Sequence, residues 1–248
     1  MKNNPVLRES LVIFFNEGHG FAVYFYLLII LAPVEFFSLY LPSLDAHVWT
    51  GSANLFKVCA VTALLLTVYL ALRVANQEFA PWRFKPLKRW VSEDGLAASQ
   101  VGQGQLAFLS CHVMLSILLC TPLLVWAGAI ARTPLPRVAG TFLLLLFYAL
   151  SYGIWGLATL ALWERQAESR QVFIRCFFFA LVIFSALFYI PVNPLAFLLA
   201  YLGRQELPPL SLGAWKAPAT VVHFGFHLLI GSIGLVAYRW ALKRGFNR

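Results

Sequence analysis

Residues 138–163 read Val138-Ala-Gly-Thr-Phe-Leu-Leu-Leu-Leu-Phe-Tyr148-Ala-Leu-Ser-Tyr152-Gly-Ile-Trp-Gly156-Leu-Ala-Thr-Leu-Ala-Leu-Trp163, without one Asp, Glu, Lys or Arg. This run exceeds the roughly 20 apolar residues with which a helix crosses a hydrocarbon core about 30 Å thick. Lipid offers no hydrogen bonds to the backbone, so a segment of this kind crosses as a helix that satisfies its own polar groups. Working outward, comparable runs occupy about 20–41, 54–75, 106–130, 171–190 and 218–242. Six spans account for the composition: 60% hydrophobic, 12% charged, mean hydropathy +0.76. A soluble domain carries about 25% charged residues, so a soluble cytosolic fold is excluded. Cys59, Cys111, Cys120 and Cys176 fall inside apolar stretches without CxxC spacing and read as reduced, buried small hydrophobes.

Before the first span, segment 1–18 carries Lys2, Arg8, Glu9 and Glu17, while Leu7, Leu11, Phe14 and Phe15 recur at helical spacing. Pro5 suits a helix start and Gly18 a stop. The segment is too short and too charged to cross, so it is expected as an amphipathic helix on the membrane surface. After the fifth span, Pro191-Val-Asn193-Pro194 precedes the short apolar run 195–202. Prolines release backbone groups that lipid cannot satisfy, so 191–202 is expected as a broken or re-entrant segment packed on protein or facing water. The fold class is therefore all-α: a polytopic integral membrane protein of six transmembrane helices, with spans and connections within 19–242 and a tail at 243–248.

Orientation follows from the basic residues. With the N-terminus inside, fourteen of the 19 Lys and Arg fall on the cytoplasmic side, and only Lys57, Arg132, Arg137, Arg204 and Lys216 fall outside. That asymmetry places both termini in the cytoplasm. It also explains the net charge of +9 as a topology signal at span ends, with no nucleic-acid partner implied. The longest cytoplasmic connection, 76–105, holds Trp82, Trp90 and most of the loop charge, and is where a soluble partner would dock.

The chain has no GxxxxGK[ST] loop, no HExxH, no GxSxG and no Cys-rich metal spacing, so it is expected to be no enzyme by itself. His223 and His227 share a face at i and i+4 on the sixth span, and His112 lies on the third. Two readings stay open: polar contacts within the bundle, or axial ligation of a b-type haem by His112 with His227 or His223. Glu35, two residues after Pro33, is an ionisable residue at membrane depth, with a substrate-pathway role or an interfacial one, and Lys57 is its nearest basic candidate. Ser151, Gly153, Gly156 and Ala158, with Gly225, Gly231 and Gly234, permit close helix approach. Trp49, Trp126, Trp163, Trp215 and Trp240 read as interfacial belts.

Asn4-Pro5-Val-Leu-Arg8-Glu9, followed by an amphipathic stretch and a span, resembles the opening of ABC-2 type transporter permeases. The rest of the chain is similar to that family in order: a short outer loop, a charged connection ending Ser99-Gln-Val-Gly-Gln-Gly104, Thr121-Pro-Leu, a fourth span rich in small residues, and Asn193-Pro194 after the fifth. The resemblance implies an exporter subunit in a bacterial inner membrane that forms the substrate path. It implies no cofactor in this chain, ATP and Mg being bound by a partner ATP-binding cassette ATPase, and a second permease copy across the path. By the same resemblance Lys88, Arg89, Trp90, Glu93, Asp94, Gly95 and Gln100 form the ATPase-coupling loop, and Asn4, Pro5, Arg8 and Glu9 the interfacial helix. Glu35, Pro191, Asn193, Pro194, His223 and His227 are the substrate-pathway candidates. A haem-holding redox anchor and a non-enzymatic anchoring protein are the alternatives.

Overall fold

The computed structural model describes residues 4–16, 18–40, 54–212 and 215–246. Glu17, Trp49 and the connection 42–53 lie outside the described residues, as does the side chain of Trp215. The elements in chain order are α1 (Pro5–Asn16), α2 (His19–Tyr40), α3 (Leu55–Ala75), α4 (Leu87–Ser92), α5 (Ala98–Ile130), α6 (Leu135–Leu162), α7 (Ala167–Phe188), a 3-10 turn (Ile190–Val192), α8 (Pro194–Gly203), β1 (Leu210–Leu212), β2 (Trp215–Ala217) and α9 (Ala219–Phe246). Six of them, α2, α3, α5, α6, α7 and α9, are long and apolar enough to span a membrane. This is a polytopic helical membrane protein.

α3 and α6 form its centre. Two thirds of the most apolar window of α6 is buried (67%) against 17% of that of α7, which leaves α7 at the edge. The central pair approaches closely because α6 offers no side chain at Gly156. A Cβ there would stand 2.5 Å from the Leu72 carbonyl oxygen and 2.8 Å from Ala75 Cβ. Gly231 and Gly234 play the same part between α9 and α6, facing Ser151 and Trp155, whereas Gly225 has open space around it. Leu27, Leu31, Leu64, Leu145, Tyr148, Tyr152 and Leu198 fill the main core.

Several sequence-based expectations need correction. α5 begins at Ala98, not 106, and at 1.5 Å per residue its 33 residues run about 50 Å, beyond the hydrocarbon. The connection 76–105 therefore shrinks to 76–97 and contains α4, and Gln100 belongs to a helix rather than a loop. The polar residues that ended the expected span are there for contacts with α1 and α9: Gly104 faces Asn4 and Val6, and Gly102 faces Leu242 and Tyr238. An antiparallel hairpin, β1–β2, pairs Leu210 with Ala217 and Ser211 with Lys216 in a chain read as all-α. α9 continues to Phe246 through most of the expected tail. Cys59 and Cys120 are buried, but Cys111 and Cys176 are exposed, and all four are free.

The broken segment forms as expected from its prolines. Pro191, Val192, Asn193 and Pro194 are all buried, and Asn193 caps α8 by accepting from the N–H groups of Leu195 (2.9 Å) and Ala196 (3.0 Å). Its amide donates to the Val182 carbonyl on α7 at 2.8 Å, so the break is fixed to the preceding span.

Candidate functional site

At the end of the bundle that holds α1 and the C-terminus of α9, the connection after α3 builds a small platform. Pro86 precedes α4, and Gly95, at φ +64°, makes the turn out of it, a conformation that favours glycine. The turn is closed by the Leu96 N–H donating to the Trp90 carbonyl at 3.1 Å. Leu87 and Trp90 are buried in one apolar cluster with Val101 of α5 and Tyr238 and Leu242 of α9. Lys88, Arg89, Ser92, Glu93, Asp94 and Gly95 are exposed.

Carboxylates lash α4 to its surroundings. The Leu87 N–H donates to Glu164 between α6 and α7, and the Lys85 N–H donates to Glu9 Oε1 of α1 at 3.4 Å. Burial raises the Glu9 carboxyl above its ordinary value, against the pull of that N–H. Lys85 Nζ lies 2.5 Å from Asp94, 3.3 Å from Glu93 and 5.1 Å from the Trp90 ring centre. Its hydrogen bond to Asp94 raises the ammonium above the usual lysine range. Arg89 meets Glu93 at 3.5 Å on the exposed face, where an i,i+4 pair contributes only about 0.3–0.5 kcal/mol. Arg170, buried at the start of α7, feels the charges of Glu164 and Glu78.

α1 joins the platform through Asn4. Its Oδ1 accepts from the N–H groups of Val6 (3.0 Å) and Leu7 (3.3 Å), capping α1, and its amide donates to the Gln100 carbonyl at 2.7 Å. Pro5 opens the helix, Arg8 is exposed, and Val6, Ser10 and Phe14 are the buried face. That face differs from the expected Leu7, Leu11, Phe14 and Phe15: α1 packs on α5, so small Ser10 is enclosed and Phe15 is 52% exposed. Phe14 meets Tyr24, Phe79, Phe108 and His112 edge-on. Replacing Gly104 by valine should displace α1, because a Cβ there would stand 2.6 Å from Asn4 Oδ1 and 2.9 Å from Val6 Cβ. We expect a loss of about 1–3 kcal/mol and faster proteolysis at Arg8, with exposed Gln103→Ala as the control. Native-like protection of Arg8 would rule out this contact.

At the opposite end, the pathway candidates Pro191, Asn193, Pro194, His223 and His227 gather, but as a closed cluster. His223 is fully buried; its Nε2 meets Tyr148 Oη at 2.5 Å and its Nδ1 donates to the Pro191 carbonyl at 2.7 Å. Phe197 of α8 stacks on its ring at 3.8 Å. One turn along, His227 Nδ1 meets Tyr152 Oη at 2.7 Å. A third contact, Trp155 Nε1 donating to the Ile230 carbonyl at 3.2 Å, continues the ladder. Partners in all three are separated by 75 residues, so α6 and α9 run parallel in fixed register. Tyr148 and Tyr152 were missing from the sequence-based site, although their i,i+4 spacing matches that of the histidines.

His112 belongs to a different nest, with Tyr24 Oη 3.1 Å from its Nδ1. Glu35 stands apart on α2. It is 1% exposed, and neither oxygen has a hydrogen-bond partner among the described residues. The expected Lys57 pairing does not form: Lys57 Nζ donates to Asn54 Oδ1 at 3.4 Å. Glu35 continues the inward stripe of Leu27 and Leu31 and faces Cys59 of α3. Among the described residues no three His, Cys, Asp or Glu side chains group as a metal site.

No family model, curated protein or solved structure matches this chain.

Proposed function

We propose that this six-span membrane protein is the permease subunit of an exporter of the ABC-2 type, driven by a separate ATP-binding cassette ATPase, with a second permease copy completing the path. The observation that carries the reading is the build of α4. Its outer face is charged and free for a partner, and its inner face, Leu87 and Trp90, is buried against α5 and α9. Its N-terminal end is bonded on both sides, the Leu87 N–H to Glu164 beyond α6 and the N–H of the preceding Lys85 to Glu9 of α1. A short helix held in this way moves its neighbours when pushed, which is what coupling to an ATPase needs. A push of this kind acts by changing the relative stability of two bundle arrangements. The resemblance of Asn4–Glu9 and the even number of spans support the same reading.

A mild-detergent pull-down of the tagged chain, with mass spectrometry and an ATPase assay on the eluate, tests it. A cassette ATPase with vanadate-sensitive hydrolysis should co-elute. Arg89→Glu with Ser92→Trp, both on the exposed face of α4, should lower its recovery about tenfold, equivalent to about 1.4 kcal/mol. Lys88 is left native because it lines a neighbouring groove. Elution without an ATPase, or undiminished recovery with the variant, would overturn the assignment.

A further inference from the structure

Beside α4, a groove of about 370 Å³ opens between the end of α6, the α6–α7 connection and the last turns of α9. Lys88, Arg165 and Arg244 line it, together with Trp163, Trp240 and Glu164. All three cations are exposed, and none forms an ion pair with a described residue. The one carboxylate is already committed, since Glu164 accepts the Leu87 N–H and acts on buried Arg170. The groove therefore carries an unspent positive charge.

Its position selects the anion. Trp163 and Trp240 are 36% and 51% exposed at the ends of spanning helices, where indoles mark the headgroup level of a bilayer. Arg244 lies 4.9 Å over the Trp240 ring, which holds its guanidinium at that level. Above Trp240, exposed Val236 and Ile233 follow at i−4 and i−7 and lead along α9 into the hydrocarbon region. A ligand with a phosphate at the groove and acyl chains along α9 meets each of these features, whereas a soluble anion uses only the cations. Basic pockets between spanning helices at headgroup level hold anionic lipids.

We propose that this groove is a binding site for one anionic glycerophospholipid, its phosphate held by Lys88, Arg165 and Arg244 and its glycerol region flanked by Trp163 and Trp240. The site joins α4, the α6–α7 connection and α9, so a bound lipid ties the platform to the spans. The inference does not depend on the transport reading.

The test uses the purified full chain in dodecyl maltoside, titrated with phosphatidylglycerol, phosphatidylcholine or inorganic phosphate, and read by thermal melting and by native mass spectrometry of retained lipid. Phosphatidylglycerol should raise the melting temperature and be retained in preference to phosphatidylcholine, and phosphate should do neither. Arg165→Gln with Arg244→Gln should weaken phosphatidylglycerol binding about 25-fold, at about fivefold per cation. Arg239→Gln with Lys243→Gln, exposed at the same end of α9 but outside the groove, should leave it within about twofold. Equal response to the two lipids overturns the proposal and needs no variant. Equal loss in the two double variants would assign the effect to diffuse surface attraction and overturn it, and stabilisation by phosphate alone would assign the groove to a soluble anion and do the same.

Discussion

Replacing Gly156 by leucine is expected to prevent assembly of the native bundle. The glycine lies where α6 crosses α3, and any Cβ there meets the Leu72 carbonyl oxygen at 2.5 Å and Ala75 Cβ at 2.8 Å. Neither obstacle is the end of a flexible side chain, so relief requires moving one of the two most buried helices in the structure. Overpacking ordinarily costs about 1–3 kcal/mol, and a backbone obstacle belongs at or above the top of that range. The readouts are thermal melting and size-exclusion profile in detergent. Two controls fix the interpretation. Gly225→Leu, with nothing within 4 Å of its Cβ position, should behave as wild type, and Gly153→Ala, which mainly displaces a Leu109 methyl group, should lie between them. If Gly156→Leu melts with Gly225→Leu, the α3–α6 approach is wrong.

The second large effect is expected at His223. Truncation to alanine removes a fully buried ring, vacates the stack on Phe197, and leaves the Tyr148 hydroxyl and the Pro191 carbonyl without their partner. Cavity and orphaned polar groups together should cost about 2–4 kcal/mol. Tyr148→Phe keeps the packing and removes one interhelical hydrogen bond, so it should cost about 0.6 kcal/mol. The two melting curves should therefore separate clearly. If His223→Ala destabilises no more than Tyr148→Phe, the histidine is not the link that ties the Pro191 break to α6 and α9.

The spans were legible because lipid imposes one rule on every crossing segment, and runs such as 138–163 have no other solution. Features set by contact between helices were harder to read. Gln100, Gly102, Gly104 and Gln105 looked like a loop on hydropathy, yet Gln105 is buried against Tyr238 and the glycines admit α1 and α9. The β1–β2 hairpin has strands of three residues, too short for an alternating pattern to register. For Glu35 the sequence leaves a pathway role and an interfacial role open, while its i+4 spacing from Leu31 and i+8 from Leu27 already places it on the inward face of α2. The charge and length of the connection after α3 are legible in the sequence, but Glu164, Glu9 and Arg170, which hold or face the platform it builds, come from elements far away in sequence. The histidines were foreseen on one face. Their tyrosine partners carry the same spacing two spans earlier, on the helix that runs parallel, a correspondence visible only when two helices are aligned with each other.

The constant offset between α6 and α9 restricts how the bundle can move. The histidine rungs recur every four residues, so α9 has one position along α6 in which both rings find a hydroxyl. Shifted by one turn, about 5.4 Å, His223 would face Tyr152, His227 would face Gly156, and Tyr148 would lose its partner. Intermediate positions satisfy neither ring. The two helices are keyed together like a shaft and its collar, with detents one turn apart. Tilting or rotating as one piece preserves every rung, so a displacement of α9 at its α4 end would carry α6 and the Pro191 break with it instead of dissipating as slippage along the way.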